Sequence, residues 1–518
     1  MSTPITHEST SHSTGNEATP PTGTQRGRRL VGLLGGLLLA VCAYYLLPAD
    51  AIDQVVAAAG PEKAKGMTEH GLRLTAAAAI LMGAWWMTEA IPLAATALVP
   101  LVMFPLLQVD SFKNTAAPYA SGTIFLFMGG FMLALAMQRW NLHRRIALLT
   151  VLAVGVRPRM LVLGFMVATG FLSMWVSNTA TAVMMLPIGT SILMLTGQLA
   201  KGGGKQNNFA TGLMLGIAYA ASIGSLGTII GTPPNTLLIA YLKENHDITI
   251  GFGQWMLVGV PLAVVFMLLA WWLLTYVLFK PELDEIPGGK ELIRNELRAL
   301  GRWSSGEVAV GIIFVGAALS WSLLPTLLPG SGVNDEIIAM VVALLLFILP
   351  APGHHGVRLL DWETAKDLPW DVLLLFGGGL ALSSEFSKQG LSLWIGEGAK
   401  SLSALPVVLV VAAVGVMVIF LTELTSNTAT AAAFLPIMGG VAVGIGADPL
   451  LLVVPVALAA TCAFMLPVAT PPNAIAYGSG YVEMGAMIRA GVWLNLAGVA
   501  LITLAVMLLG VPVLGIAL

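Results

Sequence analysis

SNTATAVMMLPIG, residues 177–189, recurs as SNTATAAAFLPIM, residues 426–438. Asn427 stands 249 residues after Asn178, and the same offset carries Pro187 onto Pro436. It also carries Phe127-Met128-Gly129-Gly130 onto Phe376-Gly377-Gly378-Gly379, so about 60 residues align without a gap. Each copy is followed by a TPPN, Thr232 to Asn235 in the first and Thr470 to Asn473 in the second. Ser, Asn and Thr in a row favour caps and turns over helix interiors. Polar helix-breaking signatures at corresponding places in the two halves of an apolar chain point to the binding site of a membrane transporter.

The surroundings fit that reading. Of 518 residues, 57% are hydrophobic and 10% charged, and the mean hydropathy is +0.86. A soluble domain carries about 25% charged residues, so this is an integral membrane protein. Continuous hydropathy argues for one membrane domain, residues 30–518, built from repeats at about 73–279 and 305–512. The net charge of −2 and the lack of a basic run offer no site for nucleic acid. Cys42 and Cys462 both lie in apolar stretches and read as small core residues. Residues 1–29 form a polar tail, rich in Ser, Thr, Pro and Gly up to residue 25 and expected to be disordered. Arg26, Arg28 and Arg29 then precede a long apolar run that reads as a retained first helix and not as a cleaved signal.

Apolar spans of crossing length, about 20 residues, fall near 30–48, 73–91, 92–107, 120–138, 209–226, 256–279, 305–325, 335–350, 370–387, 450–466 and 486–510. The second and third are separated by the turn Glu89-Ala90-Ile91-Pro92. Two more apolar segments, 160–195 and 405–440, are interrupted by the SNT triplets and read as re-entrant helical hairpins, tolerated at membrane depth only where buried or lining a cavity. The fold class is therefore all-α, about eleven transmembrane helices in two inverted repeats plus two hairpins. With the N-terminus in the cytoplasm, Lys63, Lys65, Arg73, Lys113, Lys243, Lys388 and Lys400 fall outside. That is seven of the 25 basic residues, leaving 18 inside. The bias obeys the positive-inside rule and puts the C-terminus outside. Segments 139–158 and 388–404 read as interfacial helices joining a fixed to a moving part; an ordinary polar loop is the alternative.

An SNT tip offers two hydroxyls, an amide NH2 and the backbone N–H groups of a half-helix start. Such a donor-rich, neutral cradle suits a carboxylate. Two facing tips suit a substrate with two anionic ends. No Lys or Arg lies within a tip or a TPPN, so a bound dianion would need co-bound cations, for which carbonyl oxygens at helix breaks are suitable ligands. The competing reading makes SNT and TPPN capped breaks required only for packing; constant spacing of two copies argues against it. Glu423 lies at hairpin depth, where a carboxylate is a functional candidate. Met174 takes its place in the first copy, which favours a structural, hydrogen-bonded role. Glu89 and Asp371 fall near span ends, and the histidines, among them His7, His12, His354 and His355, show no metal-ligand spacing. Trp85, Trp86, Trp271 and Trp272 read as interface or packing aromatics.

The paired SNT and TPPN motifs, the WWMTEAIP segment (Trp85 to Pro92) and GTIIGTPPNTLL (Gly227 to Leu238) resemble the divalent anion–sodium symporter family, which contains sodium-coupled dicarboxylate and citrate carriers. The resemblance covers the chain from about residue 30. It implies a homodimer of eleven-helix protomers, each with a scaffold part and a transport part moving as an elevator. It also implies that Ser177, Asn178, Thr179, Ser426, Asn427 and Thr428 grip the substrate, with Thr470 and Pro471 nearby. The implied first sodium site is Ser173, Ser177, Asn178 and the carbonyl of Gly231; the second is Thr422, Thr425, Asn427 and the carbonyl of Ala469. Two regularities of the chain agree: Ser173 and Thr422 each stand four residues before an SNT serine, and Gly231 and Ala469 each precede a TPPN threonine.

The expected function is Na+-coupled uptake of C4-dicarboxylates such as succinate, malate or fumarate across a bacterial plasma membrane. Na+ is then a co-transported ion, and no organic cofactor is expected. A sodium-independent dicarboxylate exchanger, or citrate or sulfate as substrate, remains the alternative. An intramembrane enzyme is disfavoured because HExxH, GxSxG and buried Asp-pair patterns are missing. A channel suits inverted hairpins less well than alternating access does.

Overall fold

The computed structural model describes residues 23–517 apart from 63, 156, 200–206, 283–284, 287, 329 and 354–355. The expected disordered tail falls mostly outside the described residues, as do Lys63, Lys201, Lys205, His354 and His355. Among the described residues every extended element is a helix, the exception being one isolated bridge between Pro350 and Arg358.

Among the described residues six helices are long and apolar enough to cross a membrane: they lie within Arg29–Leu46, Phe112–Arg139, Phe252–Leu278, Ser305–Pro325, Asn427–Gly444 and Met484–Leu514. The expected spans at 73–91, 209–226, 335–350 and 370–387 are helical as Glu69–Thr88, Asn207–Ser225, Asp335–Ile348 and Trp370–Lys388. Two expected spans are broken. The stretch 92–107 is two short helices, Leu93–Thr96 and Val99–Leu106; Pro100, in the first turn of the second, has no N–H to carry the hydrogen-bond ladder across the gap. The stretch 450–466 is helical only to Ala460. The first helix begins at Gly23, seven residues before the apolar run.

Local chemistry sets the helix ends. Thr68, Ser111, Asn334 and Asp361 cap the helices that follow them, each accepting a backbone N–H, a contribution of about 0.5–2 kcal/mol apiece. Ser304 and Glu307 form a reciprocal capping box. The predicted turn after Thr88 is made by Glu89 in the left-handed region, φ 49°.

The duplication read from the motifs extends through the elements. Gly122–Arg139 corresponds to Trp370–Lys388, Pro158–Ser173 to Val407–Thr422, and Asn178–Leu199 to Asn427–Gly444. Even the joints match: Asn141 (φ 58°) and Gly390 (φ 79°), 249 residues apart, both take the left-handed conformation before the next helix, which Asn and Gly tolerate best. The segments expected to be interfacial are helical here, as Leu142–Val154 and as Leu391–Ala399 with a 3-10 turn to Ala404. Phe252–Trp272 and Met484–Ala505 each continue into a π-helical turn. The equivalent residues Phe127 and Phe376 touch, ring centroids 4.9 Å apart, so the two copies meet at this level. Each copy also has a close helix approach: a Cβ on Gly129 would lie 2.7 Å from the Ala339 carbonyl oxygen, and one on Gly378 would lie 2.4 Å from that of Ala97.

Polar links stitch the helix ends. Lys243, Glu244 and Asn245 end the helix Pro233–His246 and bind, respectively, Glu336 (2.6 Å), Ser121 (3.0 Å) and Ser387 (3.0 Å). A cavity of about 290 Å³ adjoins Lys243, Thr249, Asp335 and Glu336 and includes no residue of either tip. Arg145, buried in Leu142–Val154, donates to Glu307 at 2.7 and 3.1 Å.

Candidate functional site: the paired helix breaks

Both SNT triplets sit at a helix break. Pro158–Ser173 and Asn178–Leu199 are separated by residues 174–177; Val407–Thr422 and Asn427–Gly444 by residues 423–426. Ser177 and Ser426 are the caps of the second arms, their Oγ atoms accepting from Ala180 N (3.2 Å) and Ala429 N (3.5 Å). A capping serine spends its oxygen on the helix and keeps its own proton to give away. The next two backbone N–H groups, those of Asn178 and Thr179 and of Asn427 and Thr428, have no acceptor within the helix. Each tip is thus a set of outward donors at a positive helix end, suited to a carboxylate.

The TPPN segments start helices of the opposite character. Thr232 precedes Pro233–His246 and Thr470 precedes Pro471–Gly478. Two prolines in the first turn remove two N–H groups, so these helix starts offer fewer donors to an anion. What they present is oxygen. Asn235 Nδ2 donates to the carbonyls of Thr228 (2.9 Å), Leu226 (3.4 Å) and Ser225 (3.5 Å). Asn473 Nδ2 donates to those of Leu466 (3.1 Å) and Ala463 (3.0 Å). The carbonyls seven and ten residues upstream are bound in both halves, so the TPPN asparagine shapes each loop in the same way.

The halves interlock crosswise. Asn178–Leu199 packs against Pro471–Gly478, and Asn427–Gly444 packs against Pro233–His246. Thr232 Oγ1 and Thr461 Oγ1 are 3.4 Å apart across the boundary. Tyr219 donates to the carbonyl of Met487 (3.3 Å) and Thr211 to that of Tyr481 (2.9 Å). Among the described residues no hydrogen bond joins one SNT tip directly to the other; the TPPN helices bring them into one assembly.

The residues expected to bind ligand take distinct places. Ser173 is fully buried with an unpartnered Oγ. Asn178 donates from Nδ2 to Ser225 Oγ (3.3 Å), and its Oδ1 has no partner. Thr179 and Pro471 are exposed, Thr428 is half-buried, and Thr470 is buried as a cap accepting from Asn473 N (3.3 Å). Gly231 is packed so that a Cβ would stand 2.3 Å from the Ser225 carbonyl oxygen. Its counterpart Ala469 is buried and already carries that Cβ. In the second half, Thr422 Oγ1 donates to Asn427 Oδ1 (2.7 Å) or to the Ala460 carbonyl (3.0 Å). Thr425 bonds the Leu421 carbonyl (3.0 Å) and Thr430 Oγ1 (2.7 Å). Ser173 and Asn178 therefore hold unpartnered oxygens where Thr422 and Asn427 bond each other.

Glu423 takes the structural role that its asymmetry suggests. It is 3% exposed, and its carboxylate accepts from Phe464 N (2.7 Å), Met465 N (2.9 Å), Leu466 N (3.1 Å) and Asn495 Nδ2 (2.7 Å). It pins the loop leading to the second TPPN. In the first half Thr228 Oγ1 ties its loop to the carbonyl of Met174 instead. Asn495, Ser222 and Ser225 were missed in the sequence; no motif marks them. The TPPN asparagines carried a usable signal, since they are duplicated.

Paired helix breaks inside an apolar helical bundle define a membrane transporter. Comparison with known proteins gives the same class and a family. Residues 49–516 match the family model described as the sodium:sulfate symporter transmembrane region. A sodium-dependent dicarboxylate transporter, SdcS, of Staphylococcus saprophyticus is 43% identical over 496 residues, covering 94% of this chain and 92% of its own. That of Staphylococcus aureus strain USA300 is 45% identical over 440 residues, 83% of this chain and 85% of its own. Two solved structures share the fold at low identity. The YdaH transporter of Alcanivorax borkumensis gives a TM-score of 0.51 at 14% identity, covering 84% of this chain and 98% of that one. MtrF of Neisseria gonorrhoeae gives 0.54 at 12%, covering 94% and 96%. The chain belongs to the sodium:sulfate symporter family of divalent anion–sodium symporters, and it is a transporter, not an enzyme.

Proposed function

We propose that this protein takes up C4-dicarboxylates, with succinate, malate and fumarate as the type substrates, by Na+ symport across the bacterial plasma membrane. The observation that carries the proposal is the pair of SNT helix starts, each a cluster of outward donors with no fixed cation beside it. One tip holds each carboxylate through Ser177, Asn178 and Thr179 or Ser426, Asn427 and Thr428, with Thr470 and Pro471 alongside. Sodium ions offset the dianion. Ser173, Ser177, Asn178 and Gly231 serve one ion, and the unpartnered oxygens of Ser173 and Asn178 support that assignment. Thr422, Thr425, Asn427 and Ala469 serve the other; Thr422 and Asn427, now bonded to each other, would part to admit it. The names of the SdcS relatives support both the substrate class and the sodium dependence.

In this reading the two copies, about 73–279 and 305–512, are inverted in topology, the N-terminus is cytoplasmic and the C-terminus outside. Two such protomers form a homodimer, and the part bearing the hairpins moves as an elevator against the rest. Uptake of radiolabelled succinate into proteoliposomes tests the proposal, with Na+ replaced by choline and with malate, citrate and sulfate as parallel substrates. Succinate uptake that requires Na+ is expected. Asn178→Ala and Asn427→Ala, each at unchanged expression, are expected to reduce it to background, since a lost bond to a charged group costs about 1.5–3 kcal/mol. Equal uptake in choline would make the protein an exchanger; near-normal uptake in both variants would remove the assignment of the site.

A further inference from the structure

Asn235 and Asn473 do more than shape their loops. Both are fully buried, and in both the Oδ1 atom has no hydrogen-bond partner. The orientation of the amide is settled by chemistry, because its other end faces only carbonyl acceptors and must be the NH2. Buried acceptors are almost always satisfied, yet the same exception occurs at corresponding positions of the two copies. A residue whose only task was to tie a loop would not need its oxygen kept free twice.

Asn235 stands among other buried oxygens. The Nδ2 groups of Asn178 and Asn235 both donate to Ser225, the first to Oγ and the second to the carbonyl, which anchors the two amides at one residue. The backbone of Gly231 presses against that same carbonyl. Asn178 Oδ1, Ser173 Oγ and Ser222 Oγ are likewise buried without partners. Neutral oxygens gathered where prolines have removed N–H groups match a hard monovalent cation, which prefers oxygen ligands. They repel a carboxylate.

We propose that Asn235 and Asn473 each contribute Oδ1 as a direct cation ligand, one in each half. This inference rests on the sodium-coupled reading and adds a ligand to each ion site. The test is the Na+ dependence of thermal unfolding of the purified protein without substrate, with choline at equal ionic strength as control; a ligand that binds only the folded state raises the midpoint with concentration. The wild type is expected to show a saturable Na+ shift. Asn235→Ala and Asn473→Ala are expected to raise the half-saturating Na+ concentration by about tenfold or more, the scale of losing a supporting group at a metal site.

The midpoint in choline separates ligation from loop shaping. Loss of a loop tie alone predicts a lower choline midpoint with the half-saturating Na+ concentration unchanged, whereas loss of a ligand predicts that the half-saturating concentration itself rises. Asn235→Ser, a smaller polar side chain that can still donate, is measured beside alanine with the same rise expected, so that the experiment stays readable should the alanine variant not fold. A wild-type Na+ response left unchanged in both alanine variants overturns the ligand assignment alone. Absence of any Na+ response in the wild type overturns the assignment together with sodium coupling.

Discussion

At Glu423 the chain places a carboxylate in the second helix break and surrounds it with four N–H donors. A buried charge is tolerable when every lone pair is met by a donor. Glutamine at this position would have one acceptor oxygen and would turn an NH2 toward backbone N–H groups. Glu423→Gln is therefore expected to destabilise the protein by about 1.5–3 kcal/mol or more, read as a lower unfolding midpoint in detergent. Met174→Leu, at the equivalent place in the first half, is expected to leave the midpoint near wild type, because the hydrogen bond there uses the Met174 carbonyl and leucine is close in volume to the packed methionine side chain. An unchanged midpoint in Glu423→Gln would show that the four contacts contribute little. The carboxylate was visible in the sequence as an asymmetry between copies. Its partners were not, since Asn495 lies 72 residues away and the other three donors are backbone groups.

Among the elements, the two TPPN breaks share a hydrogen-bond plan but differ in tolerance. Gly231 leaves no room for a Cβ beside the Ser225 carbonyl, whereas Ala469 fills the same station. Gly231→Ala is expected to cost about 1–3 kcal/mol through overpacking and to impair uptake at normal expression. Ala469→Gly is expected to be mild. Transport assays on the two variants side by side would check this, and equal effects would contradict it. The helix breaks and their positions were legible beforehand, because SNT and TPPN are local signals for caps and first-turn prolines. The short helices at 92–107, and the end of Leu450–Ala460, were not. Hydropathy measures apolar length and is blind to whether a proline or an interior contact interrupts it.

For the whole molecule, the proposed inversion of the two copies predicts which side of the membrane each loop faces. If they are inverted, Lys400 is outside and Arg294 inside. In a background with Cys42 and Cys462 replaced, a single cysteine at 400 is expected to react with a membrane-impermeant maleimide on intact cells. One at 294 is expected to react only after permeabilisation. Labelling of both from the same side would refute the inverted topology. The exposed side chains of Lys400 and Arg294 suit the experiment.

Composition, the constant spacing of the motifs and their helix-breaking chemistry were sufficient to read an all-helical membrane transporter with two marked centres. These are properties of neighbouring residues and of solvent preference, which the order of amino acids states directly. The crosswise packing of the helix after each SNT break against the other copy's TPPN helix was beyond that reading, as was the contrast between unpartnered oxygens in one break and bonded ones in the other. Both depend on contacts between residues far apart in the chain, and such contacts exist only once the helices have packed.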